Sequence, residues 1–419
     1  MTFEVIYYFS EEIFYISEIP FVMSKNRDRR LYVVDYLITP DQRIDHGAVL
    51  CEGNRILAVG GLSGFSIEDE LRVERFSNAY MTPGFIDTHI HGAGGFDCSC
   101  VNGSPRTLED MSRVLGERGV TGFFPTVVAD EPEKMLENLN VLSRAMQNDM
   151  PGAEALAIHI EGPFLNPSKC GAQVKDCLQP VDINFAGELI SAGNGMVKSM
   201  TFAPELRGAE QLISLLRENN VTPSMGHSLA DGQQTLRAID AGATHCTHLF
   251  NGMEPLHQRD MGLASIVLTD NRVTAELIID GRHVHPRMVD LACRCKRADR
   301  LVGISDGTMA FGMPNGTYHI GPSSIVVHGG YSQSNGKLAG TTTMLDAGWH
   351  SLMSCGHLSE NRAALAVTRT PAECFGFHDR GILQPGKRAD LAVFECGTNR
   401  LLMTVRRGEI IYKAGEKNE

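Results

Sequence analysis

Between residues 82 and 307 the chain repeats one pattern eight times: a short apolar run, followed in most cases by a stretch of helical character. The runs are TPGFIDTHI, TGFFPTVVA, ALAIHIEG, KSMTFAPE, VTPSMGHS, ATHCTHLF, RVTAELIID and LVGISDG. Across 131–147, Met135, Leu136, Leu139, Leu142 and Met146 recur at helical spacing. Across 209–219, Leu212, Leu215 and Leu216 do the same. Parallel strands need a crossover of a dozen or more residues between them. Eight such strand–helix units therefore predict an α/β fold, a (β/α)8 TIM barrel of about 250 residues or more. The barrel is expected over 83–380.

The flanking segments have another texture. LYVVDYLI, GAVLCEG and RILAVGG on one side, and ADLAVFE and LLMTVRRGEIIYKAG on the other, read as short strands separated by Gly and Asp turns. Residues 31–82 and 381–415 are expected to meet as one small β-sandwich side domain. Residues 1–22 are aromatic and apolar but carry Glu4, Glu11, Glu12 and Glu18, unlike a signal peptide. Met23 opens MSKNRDRRLYVV, which reads as a start of its own, so 1–30 is taken as an N-terminal extension.

A formal charge of −12 argues against a nucleic-acid binder, and there is no apolar run of about 18 residues to span a membrane. Eleven cysteines, an odd number without regular spacing, suggest free thiols in a reducing compartment, and hence a cytoplasmic protein. Cys98, Cys100, Cys246, Cys293 and Cys295 are read as buried core thiols rather than metal ligands.

In a TIM barrel the C-terminal ends of the strands face the active site. Near the ends of these runs stand His89 and His91, Glu161, His227, His248, His283 and Asp306. These residue types bind divalent metals and move protons. His89 and His91 are two apart on one strand, so they share a face. Each residue alone has a bland reading as a solvated or structural group. Their recurrence at strand end after strand end makes coincidence a poor account.

HxH after the first strand and Asp after the eighth resemble the amidohydrolase superfamily, as does GILQPGKRADLAVFE, which is similar to that superfamily's return into its side domain. EGPFLNPSKCGA, GHS, THLFNGMEPLHQRDMG, IIDGRHVHP and ISDGT resemble the N-acetylglucosamine-6-phosphate deacetylase family within it, over about residues 31–415. The resemblance implies an amidohydrolase-type barrel that hydrolyses the acetamide of a phosphorylated N-acetyl amino sugar in amino-sugar catabolism. It implies a divalent metal, one or two per subunit (zinc, iron or similar). Glu161, His227 and His248 would hold one; His89, His91 and Asp306 match ligands for a second. Asp306 would also be the general base, and His283 would polarise the acetyl carbonyl. Arg259, Asn251 and Gly252 would take the phosphate, and Ala172 and Gln173 would contact the sugar. The resemblance further implies a homodimer in which Arg259 acts across the interface.

Two positions depart from the family. Gln173 stands where a His is common, and Gly252 stands where Ala is common; a substrate contact is the expectation in doubt at the first, and little change is expected at the second. Trp349, the single Trp, reads as core packing. His245 reads as a structural residue turned away from His248, and Arg294, Lys296, Arg297 and Arg300 read as a solvated helix face. His257 is not taken as a contact. Two rivals frame the reading. Within the superfamily, a cyclic-amide hydrolase would bridge two metals with a modified Lys, where Glu161 stands here, and a nucleobase deaminase would not need Arg259 in its LHQR setting; outside it, a non-catalytic scaffold would not keep every ligand.

Overall fold

The computed structural model describes residues 29–66 and 71–416. Most of the expected extension lies outside the described residues; Arg29 and Arg30 already belong to the first strand, Arg29–Val33.

All eight apolar runs form parallel strands: β1 (Phe85–Ile90), β2 (Val120–Val128), β3 (Ile158–Glu161), β4 (Val197–Phe202), β5 (Thr222–Met225), β6 (His245–Cys246), β7 (Thr274–Ile278) and β8 (Leu301–Ile304). Each pairs with its sequence neighbour, and a parallel pairing of Ile90 with Gly307 links the eighth run back to the first. Almost every residue of these strands is buried, as expected where helices cover one face and barrel packing the other. Pro132–Ala145 and Ala209–Glu218 are helices, and the leucine stripes seen in the sequence give each its buried face.

The chain ends form two sheets. One holds Arg29–Val33, Gly47–Glu52, Arg55–Gly61 and Arg72–Arg75; the other mixes Tyr36–Ile38, Arg43–Asp45 and Ala79–Pro83 with Leu391–Glu395, Leu401–Arg406 and Glu409–Lys413. Tyr32 and Val49 of the first pack with Met81, Val393 and Met403 of the second in a core of their own, a β-sandwich. Trp349, in the helix Leu345–Ser354, is buried against Phe85, Tyr80 and Phe394, joining barrel and sandwich.

Three features differ from the sequence reading. A four-stranded antiparallel sheet covers Gly316–Leu338 (strands Gly316–Ile320, Ser323–His328, Tyr331–Ser334 and Lys337–Leu338), inserted after β8. Lys296 is not solvated: it is 2% exposed and donates to the carbonyls of Val267, Asp270 and Val273. Those carbonyls end one helix and turn into β7, so the ammonium satisfies groups the backbone leaves open. Cys98, Cys246 and Cys293 are buried thiols, but Cys100 and Cys295 are exposed.

Candidate metal centre and active site

Each site residue is delivered by the end of a strand. β1 runs straight into His89 and His91, and β3 ends in Glu161. His227, His248 and Asp306 follow β5, β6 and β8, each in left-handed backbone (φ +48°, +29° and +51°). A non-glycine residue in that region is costly and persists only where its surroundings impose it. Here the bend turns each side chain back over the barrel axis.

Six side chains meet as two groups, Glu161–His227–His248 and His89–His91–Asp306. Within each group the ligand atoms lie within 4.8 Å of one another. In the first, Glu161 Oε1 is 3.2 Å from His227 Nε2 and 3.0 Å from His248 Nε2. In the second, Asp306 Oδ1 is 3.0 Å from His91 Nε2 and 3.5 Å from His89 Nε2. Glu161 joins them: Oε1 is also 3.4 Å from His89 Nε2, and Oε2 is 3.7 Å from His91 Nε2.

This donor set fits a divalent cation. His227 Nδ1 faces the Lys169 carbonyl at 2.6 Å and His89 Nδ1 faces Glu276 Oε2 at 3.0 Å. Those acceptors favour a proton on Nδ1, which leaves Nε2 to face the centre, as a lone pair whenever the ring is neutral. His227 Nε2 meets His248 Nε2 at 3.0 Å and His89 Nε2 meets His91 Nε2 at 3.3 Å. Two buried carboxylates lie among them. Positive charge at the centre, a proton on His89 or a metal ion, compensates them. Imidazole nitrogen and carboxylate oxygen suit zinc or iron better than magnesium or calcium.

The electrostatics agree. Burial pushes the Glu161 carboxyl up, but His227, His89 and His248 outweigh it and hold the group well below the usual carboxylate range. Asp306 is lowered in the same way, burial being overcome by His91, His89 and His248. Burial would depress His89, yet Glu161, Glu276 and Asp306 push it up to about 10. Beneath the site, His159 is pushed down to about 3 by burial and is held neutral between Thr126 and Thr201.

The pocket above these groups is lined by Ala172, Gln173, Asn251, Gly252 and His283 together with every grouped residue but His89. His283 Nδ1 lies 2.8 Å from Asp280 Oδ2, which orients the ring and favours a proton on that nitrogen. Gly252 has φ +63°, and a Cβ there would lie 3.0 Å from His227 Nδ1. Gln173 lines the pocket, but both amide protons are taken by Glu161, so the donor expected for a sugar hydroxyl is already committed. Arg259 is exposed and does not line the pocket of its own chain. His245 faces Glu276, 3.2 Å away, and His257 accepts from the backbone of Arg259 and Asp260, as structural residues do.

Sequence reasoning missed Glu276, Asp280 and the apolar wall that Ile320, Leu338 and Ala339 contribute from the inserted sheet. Glu276 carried a signal, a carboxylate in the middle of the apolar run RVTAELIID; Asp280 ends that run, three residues before His283.

Comparison with known proteins bears on this geometry. Residues 80–411 match the amidohydrolase family model. The chain is 34% identical to N-acetylgalactosamine-6-phosphate deacetylase of Escherichia coli O157:H7 over 76% of this chain and 84% of that one. It is 33% identical to N-acetylglucosamine-6-phosphate deacetylase of Bacillus subtilis (strain 168), over 82% and 87%. A variant of N-acetyl-D-glucosamine-6-phosphate deacetylase from Mycobacterium smegmatis, solved with N-acetyl-D-glucosamine-6-phosphate, superposes with a TM-score of 0.85 at 30% identity, over 92% of this chain and 99% of that one. The chain belongs to the amidohydrolase family. Within that family of hydrolases its similarity is to the deacetylases of N-acetylated amino-sugar 6-phosphates.

Proposed function

We propose that this protein hydrolyses the acetamide of N-acetyl-D-glucosamine 6-phosphate, giving D-glucosamine 6-phosphate and acetate. The observation that carries the reading is the Glu161 carboxylate set between two convergent ligand groups, with His283, Asn251 and Gly252 on the same pocket. Glu161, His227 and His248 would hold one divalent metal; His89, His91 and Asp306, with Glu161 shared, would hold a second, zinc or iron by donor type. A cation bound there acidifies water and polarises a carbonyl.

The side chains supply the rest. Asp306, ionised at neutral pH, accepts the proton of the attacking water and later delivers it to the leaving amine. In this role His283 carries a proton on each nitrogen: Nδ1–H is held by Asp280, and Nε2–H is donated to the acetyl oxygen as charge develops there. Asn251 and the backbone of Gly252 take part of the phosphate. Arg259 of a second copy takes the remainder, its guanidinium matching phosphate geometry. Support for that dimer comes from the surface beside Arg259. Leu229, Leu236, Leu256 and Met261 are exposed in neighbouring segments, where Met261 packs beside Gly232. We place residues 83–380 as the catalytic barrel and the protein in the cytoplasm, where its eleven cysteines stay reduced.

The test is acetate release from N-acetylglucosamine 6-phosphate beside the unphosphorylated sugar, with and without a chelator. Fast, chelator-sensitive release from the phosphorylated sugar alone is expected. The galactosamine epimer belongs in the same assay, because the Escherichia coli relative is named for it; a clear preference for that epimer would overturn the gluco assignment. Arg259→Ala mixed with Asp306→Ala should regain part of the lost activity in verified mixed dimers. No recovery there would exclude a shared site.

A further inference from the structure

We infer that Gln173 is a positioning residue that fixes the Glu161 carboxylate for metal binding rather than a contact for substrate. The inference rests on the reading of Glu161 as a metal ligand and goes beyond it. Gln173 is 7% exposed and lies on the turn that begins at Cys170. Its Nε2 donates to Glu161 Oε2 at 2.9 Å and to the Glu161 carbonyl at 3.1 Å. Its Oε1 accepts from the Ala129 backbone N–H at 3.0 Å. The three contacts fix which way the amide points. Turned over, it would set N–H against N–H at Ala129 and oxygen against carboxylate at Glu161.

The contact divides the two carboxylate oxygens. Oε1 faces three imidazole nitrogens, those of His227, His248 and His89. Oε2 is anchored by Gln173. Because the same amide is also held by the Glu161 carbonyl and by the Ala129 N–H just past β2, it cannot follow a rotating carboxylate, and rotation would break the Oε2 contact. Hydrogen-bonded partners of metal ligands commonly change metal affinity by about 10–100-fold when removed. A neutral imidazole has one donor and one acceptor, so it can replace the Oε2 contact but not all three.

The experiment is a titration of Co(II) into the apoprotein, followed by visible absorption, for wild type, Gln173→Leu and Gln173→His. Steady-state kinetics run beside it. Gln173→Leu is expected to bind Co(II) about 10–100-fold more weakly, to lose kcat, and to hold KM within about threefold. Gln173→His should recover most of the affinity. Unchanged Co(II) affinity with a raised KM would overturn the proposal and make Gln173 a substrate contact. A Gln173→His chain no better than Gln173→Leu would overturn it too, because a packing role does not distinguish a donor from its absence. The Co(II) arm stands even if the wild type fails to deacetylate this sugar, so failure of the substrate assignment and failure of this inference remain separable.

Discussion

Two places in this molecule bury several charges, and they are built on opposite plans. At the seam between sandwich and barrel, Arg388 is 5% exposed and sits 2.7 Å from Glu154 and 3.0 Å from Asp390. Arg380 also reaches Glu154, at 3.3 Å, so two cations meet two anions. At the barrel mouth, Glu161 and Asp306 face imidazoles, with the Gln173 amide on one Glu161 oxygen, and two pairs of the rings point nitrogen at nitrogen. The charges of the seam balance with protein alone. The mouth gathers two groups of side chains that could each hold a cation, and three of those residues sit in left-handed backbone. Strain and unbalanced charge gathered in one cleft are the marks of a functional site.

The largest expected effect breaks the mouth without harming the fold. Asp306→Asn removes the proposed base and a buried carboxylate that His91, His89 and His248 hold ionised. It should lower kcat by roughly 100- to 10,000-fold, while the apoprotein loses less stability than a broken seam does. Thermal unfolding beside steady-state kinetics checks both; an apoprotein Tm lowered as far as that of Arg388→Met would mean that the mouth, like the seam, is structural. Arg388→Met is the opposite case. It leaves Asp390 buried without its cation, and such losses cost about 3–5 kcal/mol. Denaturant unfolding should show that loss, while folded protein keeps its metal affinity and KM.

The contrast also explains what the sequence could reveal. His89, Glu161, His227, His248 and Asp306 were legible because each closes or follows an apolar run, where a polar residue is costly without a purpose. All eight strands were legible for the same reason. The inserted sheet was not. Its strand Ser323–His328 alternates buried and exposed residues over only six positions, and its apolar wall reaches the pocket through tertiary packing alone. Lys296 was misread because three carbonyls gathered from two segments do not show in a basic run. The direction of the Gln173 amide was beyond sequence altogether, since composition cannot say whether a side chain faces substrate or a neighbouring carboxylate.

Glu276 sharpens the comparison, because it is buried like the seam residues yet serves the mouth. Its Oε2 faces His89 Nδ1 at 3.0 Å, and its Oε1 is 3.2 Å from His245 Nε2 and 3.3 Å from Thr88 Oγ1. Glu276→Gln must turn an NH2 group toward one side or the other. Metal affinity is expected to fall about 10–100-fold, measured by competition with a chromogenic chelator. Unchanged affinity with a lower apoprotein Tm would assign Glu276 to the structural class instead.

The smallest effect tests how closely the mouth is fitted. Gly252 has φ +63°, where an L-residue costs roughly 1–2 kcal/mol. An added Cβ would stand 3.0 Å from His227 Nδ1, the atom that holds the Lys169 carbonyl. Gly252→Ala should therefore lower stability by about that amount. It should also disturb the ring of His227, a candidate metal ligand that cannot retreat without lengthening its 2.6 Å bond to Lys169. The resulting loss in kcat/KM is expected within tenfold, which is about 1.4 kcal/mol. A matching substitution at Gly53, a left-handed turn with nothing within 4 Å of the added Cβ, carries the same backbone cost and none of the contact. If the two variants lose equal stability and only Gly252→Ala loses activity, the mouth is fitted to its ligands at the level of a single methyl group. If both keep full activity, the ring of His227 has room to move, and the fit is looser than its geometry implies.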